Sequence, residues 1–265
     1  MVDGKRRLLI GALALIACGM TLAACGDDDD DATPTATSAA VATPSAVTTA
    51  QPAASPTPTG DFITIDEPAA SATVWTPFVM SGEADVFEAA LTVDVLDVAG
   101  ATLCVRHIMA SSGTGTPGTW ETTLPIPPPD AVQDVTVRAY SFSAMDGSMI
   151  NLVEHEVTLG TERPSIFITA PACGATVAPG ATLAVTGRAA VFEAALTVEL
   201  RDASGAAVVT QSVMAASGVE ESDFSATLTI PATLSLGFYD LVAFNHSALD
   251  GSIENEFSMQ VVVEP

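Results

Sequence analysis

Lysine is absent after Lys5, lysine and arginine together number eight in 265 residues, and aromatic side chains make up 5% of the chain. Each scarcity excludes a kind of chemistry. With no lysine in the body of the chain there is no Schiff-base nucleophile and no lysine clamp on a phosphate. Eight cations face 32 carboxylates, for a formal charge of −24, and three of the eight (Lys5, Arg6, Arg7) lie in the first seven residues. Nucleic acids and anionic headgroups are bound by cations that neutralise phosphate, so a surface this acidic repels both. The three histidines, His107, His155 and His246, have no companions at metal-ligand spacing, and neither G-x-S-x-G nor H-E-x-x-H occurs. A core poor in aromatics falls to Val, Leu, Ile and a few Phe, and at this length two small cores fit better than one large one.

What is present begins with an address. A cationic stretch precedes an apolar run from Leu8, which ends in small residues before five aspartates; this is the layout of a secretory signal peptide, here residues 1–24. Leu22-Ala23-Ala24-Cys25 resembles the lipobox of bacterial lipoproteins, in which the cysteine is acylated, so Cys25 is the expected lipidation site. Two alternatives stay open: Leu15-Ile16-Ala17-Cys18 is an earlier lipobox-like stretch, and the run from Leu8 to Cys25 approaches the roughly 20 apolar residues that span a bilayer uncleaved. Residues 25–60 carry the aspartates and then Thr, Ala, Pro and Ser without bulky core-formers, which predicts a disordered stalk. The expected location is outside the cytoplasm, facing the exterior or the periplasm, with the membrane reached through the N-terminal lipid.

Beyond the stalk the chain repeats itself. "VFEAALTV" occurs at residues 86–93 and again at 191–198. At nearly the same offset Gly82 matches Gly187, Asp97 matches Asp202, Gly100 matches Gly205, "MASSG" from Met109 matches "MAASG" from Met214, and "SAMDGS" from Ser143 matches "SALDGS" from Ser247. An offset held over about 100 residues is a tandem duplication of a whole domain and not a solenoid period. Short alternating segments between Gly, Pro, Asp and Ser turns predict an all-β fold, two immunoglobulin-like sandwiches over residues 61–160 and 165–265. In the first copy strands are expected near Ile63 and over 78–81, 86–96, 102–109, 119–124, 135–142 and 152–159.

The segments "SGEADVFEAALTV" and "TGRAAVFEAALTV", each followed by a D-x-x-G turn and a late "DGS", make both copies resemble the immunoglobulin-like domain of bacterial spore-germination proteins. The resemblance implies an extracytoplasmic β-sandwich that accompanies other envelope modules, and it brings no catalytic residues. The module that gives the family its germination link is not read in this sequence.

Candidate sites each have a structural and a functional reading. Alternation turns Phe87, Ala89, Leu91 and Val93 inward and Glu88 outward, so Phe87 and Glu88, with their counterparts Phe192 and Glu193, are expected to be structural, the glutamates solvated or paired across the sheet. Asp146-Gly147 and Asp250-Gly251 read as hairpin turns. They offer oxygens to calcium only as an alternative, since no EF-hand supplies the 6 to 8 oxygens that ion takes. "GTGTPG" from Gly113 matches the dinucleotide pattern in letters but precedes a strand around Trp120 instead of a helix. Trp120, aligned with Phe224, is expected in the core; Trp75 has no counterpart and packs in the core or at an edge, or offers a platform for a sugar. Cys104 aligns with Val209, which suits a buried thiol. Cys104 and Cys173 are therefore expected to be unbridged, and a disulfide locking the two copies together is the alternative.

No cofactor is expected. The function expected is that of a non-enzymatic envelope module whose tandem sandwiches bind or scaffold a partner, either an envelope protein or a cell-wall polymer. A passive spacer is the second reading, and a hydrolase built around His107 or His246 the third.

Overall fold

The computed structural model describes residues 60–265; the signal peptide, Cys25 and the stalk up to residue 59 lie outside the described residues. Two immunoglobulin-like β-sandwiches follow one another. In the first, β1 (Phe62–Ile63), β3 (Phe78–Asp85) and β6 (Gly118–Leu124) form one sheet in the order β1-β3-β6. The facing sheet runs β2-β8-β7-β4-β5, from β2 (Thr73–Val74), β8 (Met149–Leu159), β7 (Gln133–Phe142), β4 (Ala90–Asp97) and β5 (Thr102–Met109). The second sandwich repeats this with β9 (Ile166–Ala170), β11 (Thr182–Ala189) and β14 (Ser222–Thr229) in one sheet. Its other sheet runs β10-β16-β15-β12-β13, from β10 (Thr176–Val177), β16 (Ile253–Val263), β15 (Gly237–His246), β12 (Ala195–Arg201) and β13 (Ala207–Met214).

Alternation builds each core. Along β6, Gly118, Trp120, Thr122 and Leu124 are buried and the residues between them exposed; along β14, Phe224, Ala226 and Leu228 do the same. The repeated glycines Gly82 and Gly187 face these aromatics. A Cβ on Gly82 would lie 2.9 Å from the Trp120 ring and one on Gly187 2.4 Å from the Phe224 ring, so the aromatic and the glycine recur as a pair. The repeated D-x-x-G segments are turns in which Asp97 accepts from the N–H groups of Ala99 and Ala101, and Asp202 from those of Ser204 and Ala206.

Two expectations about strands change. β2, paired in parallel with the end of β8, is too short to show a period. The octapeptide is not one continuous strand: β4 starts at Ala90, and residues 87–89 make a tight turn in which Glu88 (φ 54°) and Ala89 (φ 57°) are left-handed. That turn breaks the alternation. Phe87, expected inward, is 53% exposed, and Phe192 is 67% exposed, while Val86, Ala89 and Leu91 are buried.

The sandwiches meet where the edge strand β5 of the first lies against the outer face of β15 and β16 in the second. Arg106 pairs with Asp240 at 2.8 Å, and the His107 ring stacks on Phe238 with centroids 5.0 Å apart. The Gln260 side chain accepts from the His107 N–H (2.8 Å) and donates to its C=O (3.0 Å), as a neighbouring strand would. Cys104 and Cys173, expected unbridged, form a disulfide with Cα atoms 4.6 Å apart. Gly174, next to Cys173, makes the approach possible, since a Cβ there would meet the Val105 carbonyl at 2.9 Å.

Candidate functional site

The three stretches most alike between the copies converge at one end of each sandwich. The turn at residues 87–89 opens β4, the "MASSG" segment leaves the end of β5, and "SAMDGS" joins β7 to β8. Their backbones hold one another: Ala110 N–H donates to Ala89 C=O (2.9 Å), and Thr114 N–H to Val86 C=O (3.0 Å). The Thr114 hydroxyl accepts from Glu88 N–H at 3.0 Å. The second copy repeats the first contact, Ala215 N–H to Ala194 C=O at 2.9 Å. Gly113 and Gly218 close the packing, because a Cβ on Gly113 would stand 2.5 Å from Val86 O and one on Gly218 2.8 Å from Ala194 N. The glycines and alanines of these motifs thus recur for steric reasons.

The large side chains they carry do not. Phe87, Met109 and Met145, and their counterparts Phe192, Met214 and Leu249, are all more than half exposed. Beside the phenylalanines and methionines lies an apolar groove, about 520 Å³ in the first sandwich between Phe87, Ala90, Met109 and Phe142. In the second it is about 380 Å³ between Phe192, Ala195, Met214 and His246. Phe238, reaching across from the second sandwich, borders the first groove. Two consecutive non-glycine residues in the left-handed region cost on the order of 1–2 kcal/mol each. Both copies keep them.

Electrostatics around the grooves is one-sided. Glu88 and Glu193 are exposed at the groove walls, without a salt-bridge partner among the described residues. Residues 60–265 hold five arginines against 26 carboxylates, and all five are engaged within the chain, Arg106 by Asp240, Arg138 by Asp94, Arg163 and Arg188 by Glu221, and Arg201 by Glu199. The Arg138–Asp94 pair is bidentate (2.6 and 2.7 Å) with Asp94 buried, and the Tyr140 hydroxyl donates to the same carboxylate. Burial, reinforced by Asp94, pushes the Tyr140 hydroxyl up to about 12. His107, at the back of the first groove with its Nδ1 3.0 Å from the Thr92 hydroxyl, is held below the ordinary histidine range by desolvation.

The other sequence candidates fall as follows. Asp146 and Asp250 lie in six-residue turns, where their carboxylates accept from Ser148 and Ser252. Only the glycines Gly147 and Gly251 are left-handed there, not both central residues. These serine hydrogen bonds hold both aspartates below the usual carboxylate range. Among the described residues no three His, Cys, Asp or Glu side chains gather as a metal site. The His155 Nδ1 lies 2.9 Å from the Pro68 carbonyl and that of His246 3.0 Å from the Gly251 carbonyl; no hydrogen bond joins any of the three rings to a carboxylate or serine side chain among the described residues. Trp120 is buried and Trp75 is 46% exposed, its ring lying against Gly160. The grooves were not anticipated; the signal for them was Met109 and Met214, bulky apolar residues identical in both copies beside turn glycines.

The model of the immunoglobulin-like domain of bacterial spore germination matches residues 62–148 and 165–252. The chain belongs to this family, in two copies. Both grooves of the germination-type domains lie inside the matched residues. No curated protein matches the chain. Among solved structures, the fibronectin(III)-like modules of Clostridium thermocellum CbhA are similar at 14% identity over 77% of this chain and 94% of theirs, with a TM-score of 0.27. Bacteroides ovatus SGBP-B, solved with a mixed-linkage heptasaccharide, is similar at 14% identity over 77% of this chain and 48% of its own, with a TM-score of 0.29.

Proposed function

We propose that the protein is a non-enzymatic binding module of the bacterial envelope, exported, tethered by lipid at Cys25 and holding its two sandwiches away from the membrane on the stalk. The observation that carries this reading is the repeated groove: the same motifs, folded the same way, leave the same apolar side chains uncovered in both copies. A spacer needs no such surface, and apolar side chains gathered at a concave site are what a partner buries. Two sites on one chain let a partner that spans both gain from effective concentration. A role in germination enters this reading through the family alone.

In-cell crosslinking in the native host tests it. The full chain is expected to capture an envelope protein or wall polymer that a chain carrying only residues 1–60 does not; identical captures from the two would leave the sandwiches without a binding role. Cys25→Ala is expected to move the protein from the membrane to the soluble fraction, and retention at the membrane would contradict the lipid tether.

A further inference from the structure

The contact between the sandwiches has an unfilled twin. An offset of 104 equates β7 with β15 and β8 with β16, so Thr136 corresponds to Asp240 and Glu156 to Gln260; Thr136 faces Glu156 across the strands as Asp240 faces Gln260. The loops before β2 and β10 correspond as well. "PAASATV" from Pro68 parallels "PACGATV" from Pro171, and Ser71 N–H donates to Glu156 C=O (2.7 Å) as Gly174 N–H does to Gln260 C=O (2.8 Å). Ala70 is therefore the counterpart of Cys173. In the second sandwich this face seats β5, leaving Gln260 only 6% exposed. In the first, Asp134, Glu154 and Glu156 on the same face are exposed, and a cavity of about 670 Å³ opens above them.

We infer that this outer β7–β8 face of the first sandwich docks a basic strand of a partner protein, seated as β5 is on β15 and β16. The face is quasi-equivalent to an occupied interface, and its charges select the occupant. Asp240 takes its cation from Arg106 in β5. The open face holds Asp97, Asp134, Glu154 and Glu156, while its one arginine, Arg138, is bound to Asp94. Where Gln260 both accepts from and donates to the seated strand, Glu156 as a carboxylate only accepts, so it favours a strand that adds a lysine or arginine to its backbone N–H groups. A second copy does not bring one, because β13 has Thr210-Gln211-Ser212 where β5 has Val105-Arg106-His107. Nor does the stalk, since no cation lies between Gly26 and Arg106. The inference does not depend on the grooves.

Disulfide trapping on the full-length protein tests it. Ala70→Cys places a thiol where Cys173 stands in the occupied interface, and the probe is an eight-residue peptide with the β5 sequence TLCVRHIM. In a buffer of reduced and oxidised glutathione, whose disulfide is reduced as the mixed disulfide forms, intact-mass measurement is expected to show mixed disulfide with this peptide enriched about tenfold over the same peptide with glutamate in place of arginine. Enrichment is also expected over an Ala206→Cys control on an exposed turn, and to vanish when E154K and E156K are added. Equal labelling by the two peptides, equal labelling at the two positions, or indifference to E154K and E156K overturns the inference. So does a disulfide dimer of the Ala70→Cys protein that E154K and E156K abolish, which would make a second copy the occupant.

Discussion

Gly113 and Phe87 belong to the same packed corner and answer to different demands. Gly113 leaves no room for a methyl group against Val86 O and the Ala89 backbone, so Gly113→Ala is expected to cost about 1–3 kcal/mol in chemical denaturation, the range for overpacking a tight site. Phe87→Ser touches a ring that is 53% exposed and is expected to change stability by less than about 0.5 kcal/mol. If Phe87→Ser destabilised as much as Gly113→Ala, the phenyl group would be part of the fold and not of a site. The glycine's recurrence was legible as the last letter of the repeated MASSG and MAASG segments. The phenyl group's exposure was not, because Glu88 and Ala89 adopt left-handed φ values that a non-glycine sequence does not announce, and a break of that kind reverses which alternate residues face the core.

At the scale of elements, a strand with full alternation such as β6 was readable from sequence, and two-residue strands such as β2 were not, having no period to display. β5 carries a further burden as the strand that docks. Its His107 gives up water against Phe238 and Gln260. Its folded pKa therefore lies below the ordinary value of 6.5, and as pH falls the unfolded chain takes up the proton first. Stability from this group is complete above about pH 6.5 and is lost as pH drops below it. Denaturation midpoints of the wild type are expected to decline more steeply between neutral and mildly acidic pH than those of His107→Gln; parallel curves would remove His107 as the cause. Tyr140 works at the other extreme: its raised pKa predicts a loss of stability as pH climbs from about 10 to about 12, absent in Tyr140→Phe.

Across the whole molecule the duplication was legible and the arrangement of its copies was not. A fixed offset identifies two like domains, but periodicity within a strand carries no information about which face of one copy meets which edge of the other. Cys104 read correctly as a buried position, and its partner lies 69 residues away in the other sandwich. A disulfide typically contributes about 2–4 kcal/mol; the variant with Cys104→Ser and Cys173→Ser is expected to lose that much and to unfold in two transitions instead of one. A single unshifted transition would mean the remaining contacts between the sandwiches suffice without it.

The central claim is that the repeated grooves bind a partner, and the most direct measurement compares in-cell crosslinked partners of the full chain with those of Phe87→Ser, Phe192→Ser and the double variant, all at equal surface abundance. The account predicts that each single change weakens capture, that the double change abolishes it, and that the thermal unfolding midpoint stays the same throughout. Undiminished capture by the double variant would contradict it.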